Sequence, residues 1–161
     1  MGFEKLVSVF VVILSQPGLS NGADLFRSVG NAVMMVLDHS VIPPVVLVVE
    51  DEMLLRMRTV DMVEDAGFTS VEAVDADEAV AILESRSDIA LLFTDIQMPG
   101  SMDGLKLAHA VHERWPPIKI IVVSGQLKLA SIDIPADSRF FGKPLEAREM
   151  IVEMQSMIGH A

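Results

Sequence analysis

Five short segments, three of them largely apolar runs, predict β-strands along most of this chain. A continuous apolar run at residues 45–49 has the pattern of a strand that is buried on both faces, and similar runs follow at 89–94 and 118–123. Less apolar segments at 69–73 and 139–141 predict two further strands. Helical patterns separate most of these runs, and strands that alternate with helices are typical of βαβ units and a parallel sheet.

Apolar residues recur at helical spacing between and after these strands. One helix is predicted over residues 53–66, and Gly67 is a suitable residue to end it. Asp75 and Asp103 precede the next two helical patterns, where a carboxylate can cap a helix by accepting hydrogen bonds from free N–H groups. The helix after Asp103 has an apolar face that consists of Leu107, Ala108, Val111 and Trp115. The last helix is indicated by the spacing of Ala147, Met150, Ile151, Met154 and Ile158.

The connection between the fourth and fifth strands has an unusual pattern. Residues 126–138 include Pro135 near their middle and show weak helical periodicity. Parallel neighbouring strands require a crossover connection, so we expect at most one or two turns of helix here. Together these elements predict an α/β fold with a doubly wound, five-stranded parallel sheet and a reduced fourth helix.

The first 42 residues form a separate segment that we interpret as an N-terminal extension. Its apolar run at residues 6–14 is too short to cross a bilayer, which takes about 20 residues. A helical pattern over residues 23–38 indicates either an extra helix or an artefact of start-site choice, because Met34 or Met35 could also serve as a start. Two prolines then precede the main domain, which we place at residues 43–161.

The composition narrows the classes of function. The net charge of −11 argues against nucleic-acid binding, because that binding relies on clustered Lys and Arg to neutralise phosphates. Without cysteine the chain has no disulfide, no thiolate nucleophile and no cysteine-ligated zinc, which fits a reducing cytoplasm. We therefore expect a cytoplasmic protein that binds neither nucleic acid nor a membrane.

Polar side chains follow four of the predicted strands at the point where each strand ends. Glu50 and Asp51 follow the first strand, Asp95 the third, Ser124 the fourth and Lys143 the fifth. Each alone could be a helix cap or a solvated side chain. Because the carboxyl ends of parallel strands meet at one edge of a sheet, all of them are expected in one pocket, and that convergence favours a functional site.

The chemistry of this pocket suits phosphoryl transfer. The carboxylate of Asp95 can act as a nucleophile and form an aspartyl phosphate. Glu50 and Asp51 can hold Mg²⁺, which would orient the phosphoryl group and neutralise its charge. Lys143 can pair with the phosphoryl oxygens, and Ser124 can donate a hydrogen bond to them.

Four motifs resemble those of response-regulator receiver domains, the CheY-like fold of two-component signalling. They are VVLVVEDE, LLFTDIQMPGSMDGL, IIVVSG and FFGKPL, and the resemblance covers about residues 45–158. It implies a flavodoxin/CheY-like sheet with the strand order 2-1-3-4-5.

The resemblance also implies roles for residues in these motifs. Asp95 matches the phosphoacceptor and Lys143 the catalytic lysine, while Glu50 and Asp51 match the acidic pair that binds Mg²⁺ or Mn²⁺ together with Asp95. The backbone carbonyl of Gln97 is implied as a further metal ligand.

Other matched positions are implied to act in switching. Ser124 and Phe140 match the hydroxyl and aromatic switch residues. Pro144 matches the structural proline that follows the lysine and is joined to it by a cis peptide bond. The side chains of Gln97 and Gln126 match positions that tune the lifetime of the phosphate.

The implied function is that of a stand-alone phosphoacceptor in a phosphorelay. A sensor histidine kinase or histidine phosphotransfer protein would phosphorylate Asp95, which would change a surface for an output protein or make the chain a phosphate sink or shuttle. The chain ends soon after Lys143, so we expect no output domain, and we expect a monomer or weak dimer. It would not be an enzyme beyond catalysing its own phosphoryl transfer and dephosphorylation.

The sequence departs from the family pattern at several positions. Glu50 replaces the commoner Asp, Ser101 resembles a one-residue insertion after the phosphoacceptor, and Phe140 lacks the hydroxyl that a tyrosine would have. The short connection at 126–138 argues against output through a fourth helix.

Three other functions remain open at this point. An aspartyl-phosphate phosphatase or phosphotransferase usually has a second Asp two residues after the nucleophile, where Gln97 stands. A nucleotide-binding domain would have a glycine-rich loop after a strand, and the sequence lacks the usual patterns. A receiver-like module could also bind its partners without phosphorylation.

Overall fold

The computed structural model describes residues 42–125 and 133–159, all but the first of which belong to the compact unit Pro43–Ala161. Strands and helices alternate in these ranges. The elements are β1 (Val45–Val49), α1 (Met53–Asp65), β2 (Thr69–Ala73), α2 (Ala76–Ser85), β3 (Ile89–Asp95), α3 (Gly104–Arg114), β4 (Lys119–Ser124), β5 (Arg139–Gly142) and α4 (Ala147–Ile158). Among these helices, none is long and apolar enough to cross a membrane.

The five strands form one parallel sheet with the order β2-β1-β3-β4-β5. This order confirms the predicted doubly wound, flavodoxin/CheY-like fold. Asp95 pairs with Val123, and Ser124 pairs with Gly142, so β3, β4 and β5 end close to one another along the same edge. The register therefore brings the polar residues that follow the strands together.

The core lies on both faces of the sheet, which explains the continuous apolar runs in the sequence. In β1, Val45, Leu47 and Val49 pack on the face that α2 and α3 cover, whereas Val46 and Val48 pack on the opposite face with residues of α1 and α4. All of these side chains are buried. A strand buried on both faces requires apolar residues at successive positions, because side chains alternate between the faces.

Helix ends agree closely with the predicted caps. Asp75 Oδ1 accepts a 2.8 Å hydrogen bond from the backbone N–H of Glu78, and Asp103 Oδ1 accepts a 2.8 Å bond from that of Lys106. The third helix ends one residue earlier than predicted: Trp115 packs on the same core as Leu107, as expected, but it is the C-cap, with φ −132° and ψ 65°. Two prolines follow it, and a residue before proline is sterically disfavoured in the helical conformation.

Some expectations lie outside the described residues. They include the helix at 23–38 and residue Gln126. Of the connection predicted to contain a reduced fourth helix, only residues 133–138 are described, and these form a turn without helix.

Candidate functional site

Three of the predicted site residues are buried at the carboxyl edge of the sheet. Asp95 ends β3, Ser124 ends β4 and Glu50 directly follows β1; their exposed fractions are 6%, 1% and 5%. Burial of two carboxylates next to apolar strands is costly unless a positive charge compensates them. The surroundings of Glu50 and Asp95 therefore require a cation.

The side chain of Lys143 supplies that cation. Its Nζ atom donates hydrogen bonds to Glu50 Oε2 at 2.8 Å and to Asp95 Oδ2 at 2.7 Å. The Lys143 side chain is itself only 20% exposed. The ammonium thus joins the ends of three strands and holds the two buried carboxylates on either side of one positive charge.

The pKa values of these groups reflect this arrangement. Burial raises the pKa of the Glu50 carboxyl above its usual value, and the Asp95 charge adds to the rise, although Lys143 acts in the opposite direction. Burial alone would lower the pKa of the Lys143 ammonium, but its hydrogen bonds to Asp95 and Glu50 outweigh burial and raise that pKa. Lys143 therefore remains charged at neutral pH.

The backbone around Asp95 is held by several short-range contacts. Asp95 Oδ1 accepts a 3.3 Å hydrogen bond from the backbone N–H of Gln97, and the Asp95 carbonyl accepts a 2.9 Å bond from the Thr94 hydroxyl. The N–H of Gly104 donates to the carbonyl of Ile96 at 3.0 Å. These bonds fix the loop between β3 and α3 and the direction of the Asp95 side chain.

Gly104 is essential to this close packing, and the sequence analysis did not identify it. A Cβ atom at Gly104 would collide with the carbonyl oxygen of Asp95 and would lie 2.7 Å from Thr94 Oγ1. The first turn of α3 can approach the strand end only because this residue has no side chain. A glycine directly after the cap residue Asp103 was the available signal.

Ser124 lies on β4 and Phe140 lies on β5, the two strands that follow β3 in the sheet. The carbonyl of Ser124 accepts a 2.8 Å hydrogen bond from the backbone N–H of Lys143, which ties the ends of β4 and β5 together. Phe140 pairs with Val122 in the sheet and is partly buried against the core on the α2 and α3 face. The peptide bond between Lys143 and Pro144 is cis, and it lies where β5 leads towards α4.

Two predicted metal ligands are more open to solvent. Asp51 is an exposed residue, and so is Gln97, whose backbone carbonyl is the predicted ligand. Within residues 42–125 and 133–159, no three acidic or histidine side chains converge as a ready-made metal cluster.

The donor set nevertheless fits Mg²⁺. Glu50 and Asp95 already direct carboxylate oxygens towards one cation, the Lys143 ammonium. Mg²⁺ is usually bound by only one or two carboxylates and completes its octahedron with water and phosphate oxygens. A cage of three preformed side chains is therefore not required.

Arg56 of α1 contacts the backbone of the acidic pair, which the sequence analysis did not anticipate. Its Nη1 atom donates to the carbonyl of Glu50 at 2.8 Å and to that of Asp51 at 3.5 Å, and its Nε donates to Glu72 Oε2 at 3.0 Å. The only signal in the sequence was a positively charged residue six positions after Glu50. The partner of Arg56, Glu72, lies on β2, far from it in the sequence.

A cavity of about 530 Å³ lies beside the site. Glu50 and Lys143 form part of its wall, and the other residues that line it are Leu55, Arg58, Thr59, Asp61, Met62, Asp65, Val123, Pro144, Leu145 and Ala147. Most of these residues belong to α1 or to the segment from Lys143 to the first turn of α4. The site is thus continuous with a partly apolar groove between these two elements.

The loop after Asp95 also contacts α2. The hydroxyl of Ser101, the residue expected as an insertion, donates a 2.6 Å hydrogen bond to Asp77 Oδ1. Ser101 thus joins the loop to the first turn of α2.

A doubly wound parallel sheet with an aspartate, a second acidic residue and a lysine at its carboxyl edge defines a receiver-type signalling domain. The family model for the response regulator receiver domain matches residues 46–155, and the chain belongs to this family. This result confirms the resemblance inferred from the four motifs. Receiver domains are signalling modules of two-component systems rather than conventional enzymes.

Relatives with a similar sequence include a protein of about the length of the matched region and a much longer one. The response regulator receiver protein CpdR of Brucella abortus is 31% identical over 116 residues, which cover 70% of this chain and 95% of CpdR. The sensor kinase CckA of the same organism is 33% identical over 117 residues, which cover 70% of this chain but only 12% of CckA.

Solved structures show the same fold. A response regulator receiver protein from Sinorhizobium medicae superimposes with a TM-score of 0.67 at 27% identity, covering 74% of this chain and 97% of that one. The response regulator TrrA from Thermotoga maritima, in complex with Mg²⁺ and BeF, has a TM-score of 0.59 at 24% identity and covers 70% of this chain and 97% of its own.

Proposed function

We propose that this receiver domain is a phosphoacceptor whose Asp95 is phosphorylated in a reaction that depends on Mg²⁺. The observation that supports this proposal best is the 2.7 Å contact between Asp95 Oδ2 and the Lys143 ammonium at the end of β3. A buried carboxylate beside a fixed cation is placed to receive a phosphoryl group, because the same cation can then pair with the new phosphoryl oxygens.

The metal would be held by carboxylates of Glu50, Asp51 and Asp95 and by the backbone carbonyl of Gln97. Mg²⁺, or Mn²⁺ in its place, supplies charge neutralisation and orientation of the phosphoryl oxygens when bound. The convergence of Glu50 and Asp95 on one cation supports this assignment, and so does the fold shared with TrrA, which was crystallised with Mg²⁺ and BeF.

In the proposed transfer, a carboxylate oxygen of Asp95 attacks the phosphorus of a phosphohistidine. The P–O bond to Asp95 forms while the P–N bond breaks, and the departing imidazole nitrogen keeps the bonding electron pair. Lys143 pairs with the phosphoryl oxygens as charge develops on them. Hydrolysis later breaks the acyl phosphate, and water supplies the oxygen of the released phosphate.

The switch would use Ser124 and Phe140. The Ser124 side chain lies at the strand end next to Asp95, where its hydroxyl can donate to a phosphoryl oxygen. Phe140 is partly buried and lacks a hydroxyl, so its change of position would depend on packing alone. The side chains of Gln97 and Gln126 would influence how quickly water reaches the phosphate.

A sensor histidine kinase or a histidine phosphotransfer protein is the proposed phosphodonor. Met53, Leu54 and Met57 follow the acidic pair in the first turns of α1, and their exposed fractions are 60%, 63% and 54%. Exposed apolar side chains in contiguous positions are typical of protein contact surfaces, and Met adapts readily to a partner. A donor that brings phosphohistidine to Asp95 would cover this surface.

Phosphorylation would then act on an output protein, or the chain would serve as a phosphate sink or shuttle. We place this activity in the cytoplasm and expect a monomer or a weak dimer. Beyond its own phosphorylation and dephosphorylation, no enzymatic activity is proposed.

Intact mass after incubation with acetyl phosphate tests the proposal. The wild type should gain one phosphoryl group with Mg²⁺ and none in the presence of EDTA, and Asp95→Asn should gain none. Asp61→Asn is the matched control, because Asp61 is an exposed carboxylate on α1, and it should behave as the wild type does. If neither acetyl phosphate nor a histidine phosphodonor labels the wild type, the phosphoacceptor role is wrong and a receiver that binds partners without phosphorylation becomes the better explanation.

A further inference from the structure

We infer that Arg56 is a positioning residue that holds the backbone of the acidic pair and thereby determines the affinity of the site for a divalent cation. This inference rests on the proposed role of Glu50 and Asp51 as metal ligands. Arg56 would not touch the metal; it would act through the two peptide groups that orient those carboxylates.

The contacts of the guanidinium support this role. Nη1 lies 2.8 Å from the carbonyl oxygen of Glu50 and 3.5 Å from that of Asp51, so one nitrogen faces the backbone of both acidic residues. The Arg56 side chain is only 13% exposed. A largely buried cation that faces two carbonyl groups restricts the rotation of both peptide planes, and these planes adjoin the Cα atoms that carry the side chains of Glu50 and Asp51.

The loop has few other restraints on this side. Glu52 occupies the N-cap of α1, but its side chain makes no capping hydrogen bond, in contrast to the caps of α2 and α3. The N–H of Glu50 donates to the carbonyl of Ala73 at 3.2 Å, and the N–H of Glu52 donates to Glu50 Oε1 at 3.3 Å. Arg56 therefore provides the restraint that a capping side chain provides elsewhere.

Glu72 holds the guanidinium in place from the neighbouring strand. Arg56 Nε and Glu72 Oε2 are 3.0 Å apart, and Glu72 lies on β2 next to Val48 of β1. Because Glu72 is 51% exposed, this ion pair adds little stability, but it fixes the direction of the planar group. Lysine could not replace this arrangement, since it has a single point charge and no rigid fork of donors.

The charge of Arg56 and its positioning role predict opposite changes in the affinity for a divalent cation when Arg56 is replaced. This difference makes the inference testable. A positive charge near the metal repels it, so loss of charge alone would tighten binding of a divalent cation. Loss of positioning would weaken binding, because the carboxylates would no longer be oriented together. The sign of the change therefore separates the two roles.

The test measures free Mn²⁺ by electron paramagnetic resonance, with Mg²⁺ as competitor, on the full chain. Arg56→Gln should weaken binding about tenfold, as is usual when a residue that orients metal ligands is lost. Arg56→Lys should also weaken it although the charge remains. Arg58→Gln is the matched control: it removes the same charge from an exposed position of the same helix and should leave the affinity unchanged or slightly improved.

Unchanged or tighter binding by Arg56→Gln would overturn the inference. Circular dichroism checks the folding of each variant, and if Arg56→Gln does not fold, the comparison of Arg56→Lys with Arg58→Gln decides. If the wild type itself binds no Mn²⁺, the proposed metal site fails.

A measurement of backbone order then tests the positioning role separately. The ¹⁵N heteronuclear NOE values of the Asp51 and Glu52 amides should fall in Arg56→Gln but not in Arg58→Gln. Equal values in both variants would show that Arg56 does not position the loop.

Discussion

Lys143 Nζ lies 2.7 Å from Asp95 Oδ2, although 48 residues separate the two in the sequence. The same nitrogen lies 2.8 Å from Glu50, which is 93 residues away from Lys143. The strands β1, β3 and β5 all end at the same edge of the parallel sheet, and the long Lys143 side chain reaches past β4 to both carboxylates. The ammonium has a structural role, because it compensates two buried carboxylates, as well as its proposed role in phosphoryl transfer.

Replacing Lys143 with Met should destabilise the fold. Two carboxylates that are less than a tenth exposed would lose their shared cation, and we expect the free energy of unfolding at pH 7 to fall by about 2–3 kcal/mol, somewhat less than for a fully buried pair. Urea denaturation measures the change. Lys106→Met, at an exposed position of α3, should change it by less than about 0.5 kcal/mol. Equal effects of the two substitutions would contradict the structural role of Lys143.

Glu50→Gln should have an effect on stability that depends on pH. The folded-state pKa of Glu50 is raised, so between its unfolded and folded pKa values the folded protein binds more protons and Glu50 favours folding less as the pH rises. A neutral Gln lacks this dependence. Its stability relative to the wild type should therefore improve as the pH rises from 4.5 through the folded pKa of Glu50. Urea denaturation of both proteins from pH 4.5 to pH 7 gives the difference, and a trend in the opposite direction would show that Lys143 outweighs burial at Glu50.

Gly104→Ala should disrupt the loop behind Asp95. The added methyl group would meet the Asp95 carbonyl and Thr94 Oγ1, and the first turn of α3 would have to move. We expect a loss of about 1–3 kcal/mol in the free energy of unfolding, as in other overpacked sites, and slower labelling by acetyl phosphate. Gly125→Ala is the control, since a Cβ atom there would have no neighbour within 4 Å among the residues that the structure describes. A Gly104→Ala protein as stable as Gly125→Ala would mean that α3 can move away freely.

Leu54→Lys should slow phosphorylation by a protein phosphodonor but not by a small one. Leu54 is 63% exposed beside the acidic pair, so a charge there should slow transfer from a histidine phosphodonor by about tenfold or more if that surface is buried in the complex. Labelling by acetyl phosphate should not change, because a small phosphodonor does not need this docking surface. Val152→Lys, at a position 61% exposed on α4, should leave both reactions unchanged. Equal slowing by both substitutions would argue that α1 is not the docking surface.

Local patterns predicted most of the fold. The buried run at β1, the caps Asp75 and Asp103 and the strand end at Asp95 depend on residues close together in sequence, and the structure agrees with the prediction at each. The convergence of Glu50 and Lys143 followed from the general geometry of parallel sheets.

The features that were missed depend on contacts between distant segments. Arg56 of α1 pairs with Glu72, which lies on β2, and the role of Gly104 depends on how closely α3 approaches β3. Neither of these contacts produces a periodic pattern in the sequence. Trp115 packs on the predicted apolar face, but the prolines after it determine its backbone conformation, so the helix ends one residue earlier than its apolar pattern indicated.

The strand before Lys143 has only four residues and pairs with β4 alone among the described strands. During folding, a chain that has formed the other strands but not β5 would have both carboxylates in place and no ammonium between them. We therefore expect the capacity to accept a phosphoryl group to arise only when this edge strand docks. A partly folded chain would then not accept a phosphoryl group, so signalling would be limited to molecules whose sheet is complete.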